Sequence, residues 1–258
     1  MKRMFPLVSA LALIAGTAMA EDIKVGVSPG EHAEIMEEVA KIAAPMGLNI
    51  DVVEFSDYVV PNQALADGDI EANSFQHEPY LDNQMKDRGF ELAPIATTIT
   101  TPMGVYSDKI TSMDDFPEGG SMGIPNDPTN GGRALLVLQQ LGLIKLAEGT
   151  GLVPTVLDVV ENPKDMRFQE LDAAQLPRSL ADLDAALINT NYAIASGLNP
   201  KEDSIAMESA DNPYVNIIVV RQGDEEQPWV KPLIDAYHSP EIKAFIEEKY
   251  HGTVLTSW

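Results

Sequence analysis

Apolar and polar positions alternate with a period of two through Ile23-Lys24-Val25-Gly26-Val27, and Ser28-Pro29-Gly30 ends the run. That pattern predicts a strand followed by a loop. From Glu31 to Ala44 the apolar positions Ile35, Val39, Ile42 and Ala43 take helical spacing, and Gly47 breaks the helix. Leu48-Asn49-Ile50-Asp51-Val52-Val53 reads as the next strand. Strand, helix and strand in that order predict a parallel pair within an α/β sheet. Asp57-Tyr58 follows, Pro61 opens a helix running through Ala66, and Ile70 to Ser74 reads as a further strand before helical composition returns at Tyr80 to Arg88.

The densest chemistry of this half lies in Ala72-Asn73-Ser74-Phe75-Gln76-His77-Glu78-Pro79-Tyr80-Leu81. Pro79 cannot donate to a ladder and turns Glu78 away from helix, so the strand is expected to stop before it. Phe75, His77 and Tyr80 then fall on a strand-to-helix connection, as Tyr58 does on another. Such connections carry binding groups in α/β sheets. Two rings and an imidazole there form an apolar box with a polar handle. The same residues also suit a plainer role, with Phe75 and Tyr80 in the core and His77 capping a turn.

The second half repeats the architecture. Glu91 to Tyr106 is rich in Thr, Ile and Val, reads as extended, and is interrupted at Pro102. Ser121 to Ile124 is a short strand leading through Asn126-Asp127-Pro128-Thr129-Asn130 into an apolar helix, Ala134 to Gln140. Asp127 and Pro128 read as N-cap and first helical position. Val156 to Val160 and Phe168 to Leu171 read as strands, and Ala173 to Leu183 as a helix despite Pro177. Ala185 to Ile188 is a buried strand opening into Asn189-Thr190-Asn191-Tyr192. Tyr214 to Val220 is a further strand, and Glu241 to Tyr250 the last helix. Two α/β units joined by two extended crossings predict lobes that close on a cleft by hinge motion.

Composition narrows the function. Formal net charge is −23 over 258 residues, a surface that repels phosphate backbones and anionic headgroups and argues against nucleic-acid and membrane-surface roles. Lys2 and Arg3, the short apolar run Phe5 to Ala15 and Ala18-Met19-Ala20 read as a signal peptide over residues 1–20. The chain contains no Cys, so disulfides, thiolate metal sites and a lipid-bearing cysteine are not expected. The expected mature protein is soluble, exported and unanchored.

In so acidic a chain, Arg133 in the first turns of a helix is a candidate carboxylate anchor, because a guanidinium takes a carboxylate in two parallel hydrogen bonds. A solvated arginine paired with an aspartate is the alternative. Asn189, Asn191 and Asn216 sit at or within apolar strands, where an amide needs hydrogen-bond partners. They suit either an amino-acid head group or structural capping. Enzyme templates fail: His77-Glu78 begins an HExxH pattern that Leu81 ends, and no nucleophile elbow or P-loop is present. Neither metal nor cofactor is expected, and a three-histidine zinc site assembled across the fold is the weaker enzymatic alternative.

Five ordered blocks go further: Phe55-Ser56-Asp57-Tyr58-Val59, Phe75 to Leu81, Pro125 to Asn130 with Arg133, Ala173 to Ser179, and Asn189 to Ile194. Together they resemble the NlpA/MetQ family of methionine-binding proteins of ABC importers, over nearly the whole chain. The resemblance implies a two-lobed, type II-like periplasmic binding protein, with two parallel or mixed sheets, flanking helices and two crossover strands. Its lobes are expected at residues 21–104 with 219–258, and at 105–218. It implies a monomer that captures methionine for an inner-membrane permease and catalyses nothing. By the same resemblance Tyr58, Phe75, His77 and Tyr80 form the first-lobe wall, with Phe75 and Tyr80 around the thioether and His77 donating to the head group. Arg133 takes the carboxylate, and Asn191 and Asn216, with Asn189, contact the head group. Another apolar amino acid or a methionine-containing peptide is the alternative ligand.

Overall fold

The computed structural model describes residues 20–258; the signal peptide expected over residues 1–20, apart from Ala20, lies outside them. The first half runs β1 (Glu21–Val27), α1 (Glu31–Ala43), β2 (Leu48–Glu54), α2 (Val60–Asp67), β3 (Ala72–His77), α3 (Glu78–Arg88), β4 (Leu92–Thr97) and β5 (Ile99–Thr100). The second runs β6 (Gly104–Tyr106), β7 (Ser121–Pro125), α4 (Pro128–Gln140), β8 (Lys145–Leu146), β9 (Val159–Glu161), β10 (Arg167–Leu171), α5 (Leu176–Ser179), β11 (Ala185–Ile188), α6 (Thr190–Ala195), α7 (Pro200–Asp203) and β12 (Ala206–Met207). β13 (Asn216–Arg221), α8 (Val230–Tyr237), α9 (Pro240–Tyr250) and β14 (Leu255–Thr256) complete the chain.

Two five-stranded mixed sheets result, ordered β2-β1-β3-β13-β4 and β10-β7-β11-β6-β12. In the first, β1 pairs in parallel with β2 and β3, while β13 runs antiparallel between β3 and β4. The second repeats this scheme, with β7 parallel to β10 and β11, and β6 antiparallel to β11 and β12. Each sheet is covered on both faces. Along β13, Ile218 and Val220 join the core under α1, α8 and α9, whereas Ile217 and Val219 join the one under α2 and α3. This alternation buries all four side chains, as a central strand of a layered α/β lobe requires. The second sheet packs α4 on one face and α5 with α6 on the other.

The chain leaves the first sheet after β4 and returns at β13. The two crossings lie side by side, with Thr98 N–H donating to the Asn216 carbonyl at 2.8 Å and Glu208 N–H to that of Met103 at 2.9 Å. The expected lobe boundaries at 104/105 and 218/219 pass through strands. Gly104 pairs with Ile188 in the second sheet, and Asn216 to Ile218 pair with the first.

Several elements differ from the sequence reading. β3 continues to His77 and α3 starts at Glu78, so no loop separates them. Pro79 falls within the first helical turn, where its missing N–H costs nothing. The segment expected as strand Val156 to Val160 begins as a 3-10 turn under a Thr155–Asp158 capping box, and only Val159–Glu161 pairs. The expected helix Ala173 to Leu183 contracts to a 3-10 turn and the single turn of α5, which Pro177 starts rather than interrupts.

Candidate functional site

One cavity between the sheets is lined by all eight residues singled out from the sequence: Tyr58, Phe75, His77, Tyr80, Arg133, Asn189, Asn191 and Asn216. His32, Gln76, Thr101 and Asn130 complete its wall. These side chains come from strand ends and first helical turns: the end of β3, the starts of α1, α3, α4 and α6, the β2–α2 loop, the first crossing and the start of β13. Such ends face the crevice of an open α/β sheet.

The apolar end is a ring cluster. The Phe75 ring lies 6.0 Å from those of Tyr58 and Tyr80, and Tyr192 closes on Tyr58 at 4.9 Å. Tyr80 donates its hydroxyl to the Tyr58 carbonyl at 2.8 Å, which fixes the loop to α3. Behind Phe75, the buried amides of Asn62, Asn73 and Gln76 bond to one another at 2.7 to 3.0 Å. Satisfied in this way, they set the strand rather than destabilise the core.

His77 is the N-cap of α3. Its Nδ1 accepts the Tyr80 N–H at 3.1 Å, which leaves Nε2 as the N–H facing Asn130 Oδ1 at 3.3 Å. Burial, and after it the charge of Arg133, lower its pKa from 6.5 to about 3. His77 is therefore neutral at ordinary pH, and both ring nitrogens already have protein partners. The turn-capping role left open by the sequence is realised, in a residue that also faces the cavity.

The polar end is built mainly on α4 and α6. Asp127 caps α4 through Asn130 N–H at 2.9 Å, so the helix terminus is occupied by the chain's own carboxylate. The cation that lines the cavity is Arg133, which is 2% exposed. Its Nε donates to Glu208 at 3.1 Å, and its Nη2 to Glu208 and to the Thr101 carbonyl, the latter at 2.8 Å. The guanidinium carbon stands 4.4 Å over the Tyr214 ring. Among the described residues Nη1 has no hydrogen-bond partner, so its two hydrogens remain for the cavity.

The asparagines are each half-used. Asn189 donates Nδ2 to Asn130 at 2.8 Å, and its buried Oδ1 has no partner. Asn191 accepts the Tyr58 hydroxyl, and its buried Nδ2 has none. Asn216 donates Nδ2 to the Ile99 carbonyl at 3.1 Å. The cavity thus presents donors from Arg133 and Asn191 and an acceptor from Asn189 beside the rings. An orphaned buried donor and acceptor are costly unless a ligand or water meets them.

Sequence reasoning missed Glu208 and Tyr214, which reach the site only through long-range packing, and gave no site role to Tyr192 although it stood in the Asn189 to Ile194 block. Asn130 stood in a block already singled out, and its role as a junction between His77 and Asn189 appears only in the fold. No group of three or more His, Asp or Glu among the described residues is placed to hold a metal ion.

A sequence profile described as NlpA lipoprotein matches residues 23–258. The chain is 47% identical over 258 residues to the D-methionine-binding lipoprotein MetQ of Escherichia coli K12, covering 98% of this chain and 95% of that one. It is 42% identical to outer membrane lipoprotein 3 of Mannheimia haemolytica, covering 96% and 95%. Among solved structures, a nutrient-binding protein from Burkholderia cenocepacia bound to methionine superposes with a TM-score of 0.89 at 52% identity, covering 92% of this chain and 100% of that one. The methionine-binding protein MetQ superposes at 0.90 with 48% identity, covering 92% and 98%.

These relatives overturn one expectation. The lack of cysteine predicts an unanchored protein and the resemblance a freely diffusing periplasmic one, yet the matching family and the relatives named above are described as lipoproteins. The composition stands, but a missing residue type does not determine how a protein is held at a membrane. The two-lobed α/β architecture and the length of these matches lead to one assignment: the chain belongs to the NlpA lipoprotein family.

Proposed function

We propose that this protein is the solute-binding component of an ABC importer and that its solute is methionine. One observation carries the reading: the cavity joins a ring cluster to a polar end holding a guanidinium with a free edge, an orphaned amide donor and an orphaned carbonyl acceptor. The carboxylate meets Arg133 and Asn191, while the ammonium meets the carbonyl oxygens of Asn189 and Asn216. The thioether lies among Tyr58, Phe75 and Tyr80, where sulfur–ring contacts add about 0.3–1.5 kcal/mol to apolar burial. His77 holds the wall as a neutral cap rather than gripping the head group. The first lobe, built on the β1 and β13 sheet, and the second, on the β7 and β11 sheet, close on the ligand as a single chain. The closed form is the one presented to the permease, and no bond in the ligand is made or broken.

The test uses protein freed of co-purified ligand by unfolding and refolding. Saturation at about 100 times Kd adds about 2.7 kcal/mol, a rise of about 5–10 °C in melting temperature for a chain of this size. L- or D-methionine is expected to produce it, and alanine is not. A stripped protein that shifts with neither methionine enantiomer overturns the assignment, and a shift with leucine or a methionyl dipeptide alone redirects it.

A further inference from the structure

Arg133 is buried against a carboxylate that does not line the cavity. Glu208 accepts from Arg133 Nε and Nη2 through both oxygens, and the side chains of the pair are 3% and 4% exposed. Glu208 is itself fixed at two points. Its Oε2 accepts the Met103 N–H at 2.9 Å, and its own N–H donates to the Met103 carbonyl at 2.9 Å. It stands at the first residue beyond β12, where the chain turns back toward the first sheet. The carboxylate therefore has no freedom to swing into the cavity and reaches a ligand only through Arg133.

The side chains that line the cavity carry no other charge, and the nearby Asp127 carboxylate is taken up by Asn130 and Thr129. Arg133 is the one lining residue that carries charge at neutral pH, since His32 and His77 are held neutral by burial, with pKa values lowered to about 4 and about 3. A lone buried guanidinium makes a cationic pocket, and such a pocket draws simple carboxylates. Pairing with Glu208 balances the guanidinium's charge, while Nη1 remains available as a directional donor. A zwitterion then enters with its own charges balanced. A monoanion brings one buried charge with no counterpart, at a heavy desolvation cost.

We infer that Glu208 is a positioning residue that orients and neutralises Arg133, and that it thereby selects zwitterionic amino acids against the corresponding deaminated acids. This rests on the methionine reading, and the two fail differently. Calorimetry at pH 7 compares L-methionine with 4-(methylthio)butanoate, its deaminated monoanion, on the stripped full chain. Wild type is expected to prefer methionine by about a hundredfold, the loss of two polar contacts.

In Glu208→Gln methionine binds about tenfold more weakly while the acid holds or gains, so the preference falls by about tenfold or more. Glu208→Asp keeps the charge but draws it back. Both affinities then fall, with the preference within about threefold of wild type. A preference unchanged in Glu208→Gln, or lost equally in Glu208→Asp, overturns the inference, because a merely structural residue weakens both ligands alike. Should Glu208→Gln not fold, Glu208→Asp decides alone: methionine affinity equal to wild type refutes positioning. No methionine binding to wild type refutes the underlying function instead.

Discussion

The α-carbon of Gly30 packs directly on the backbone of Asn191, one residue in the first lobe and the other in the second. Gly30 caps α1 at φ 87°, a conformation that L side chains rarely adopt, and a Cβ there would overlap the Asn191 carbonyl. The backbone strain acts within α1 itself, whereas the overlap acts on the contact between the two lobes.

Gly30→Ala is therefore expected to lower the melting temperature and, separately, to weaken methionine binding by about tenfold or more, since overpacking costs about 1–3 kcal/mol. Calorimetry with solution scattering checks this. Wild-type affinity in a destabilised Gly30→Ala would show that the contact does not gate closure.

The Tyr58 hydroxyl crosses the same cleft to Asn191 Oδ1. Burial raises the Tyr58 pKa well above 10, so the hydroxyl remains the donor throughout the working range. Tyr58→Phe keeps the ring against Phe75 and deletes one interlobe hydrogen bond. Methionine affinity should fall by about three- to tenfold, the value of one such bond, with selectivity for the side chain unchanged.

In the proposed complex the thioether meets rings rather than a polar group. Norleucine, which replaces the thioether with a methylene, is expected to bind at most about tenfold more weakly than methionine. Phe75→Leu should narrow that gap while weakening both ligands. A gap that survives Phe75→Leu intact would place sulfur recognition elsewhere.

Glu31 is fully buried at the start of α1, and both carboxylate oxygens lack partners. Burial, reinforced by Glu34, raises its pKa from 4.5 to about 8. Below 4.5 folded and unfolded chains are both protonated there. As pH rises toward 8 the unfolded chain ionises while the folded one does not, so this group's contribution to stability declines over that window. Glu31→Gln should melt several degrees above wild type at pH 8, about 2–4 °C per kcal/mol regained, with the difference shrinking toward pH 5.

His32 and His77 act with the opposite sign. Their folded pKa values, about 4 and about 3, lie below the ordinary 6.5, so the stability they confer is present above 6.5 and is lost as pH falls below it. His77→Asn retains a capping side chain and is expected to flatten the acid limb of a melting-temperature profile. An unchanged acid limb would argue against a buried neutral imidazole.

The period-two and helical patterns made the α/β elements, the two units and the two crossings readable in order, because side-chain alternation and turn residues are properties of the local chain. Asp127 as the α4 cap was equally legible. Elements bounded by proline were read less well. Pro79 and Pro177 suggested interruption, whereas each begins a helix. Whether a proline ends or starts a helix depends on which neighbouring N–H groups need partners, and that is decided by the fold.

Sequence alone determined most of the residue types of the cavity: three rings, one imidazole, one arginine and three of the four asparagines, standing at or near strand and helix ends. It also determined the lack of thiol chemistry. Tertiary structure decided what each of those groups has left to give. Glu208 occupies one edge of Arg133, 75 positions away, His77 is spent on Tyr80 and Asn130, and one half of each of Asn189 and Asn191 is left open. Those allocations depend on which distant partner reaches a buried polar atom first, and no local pattern encodes that distance.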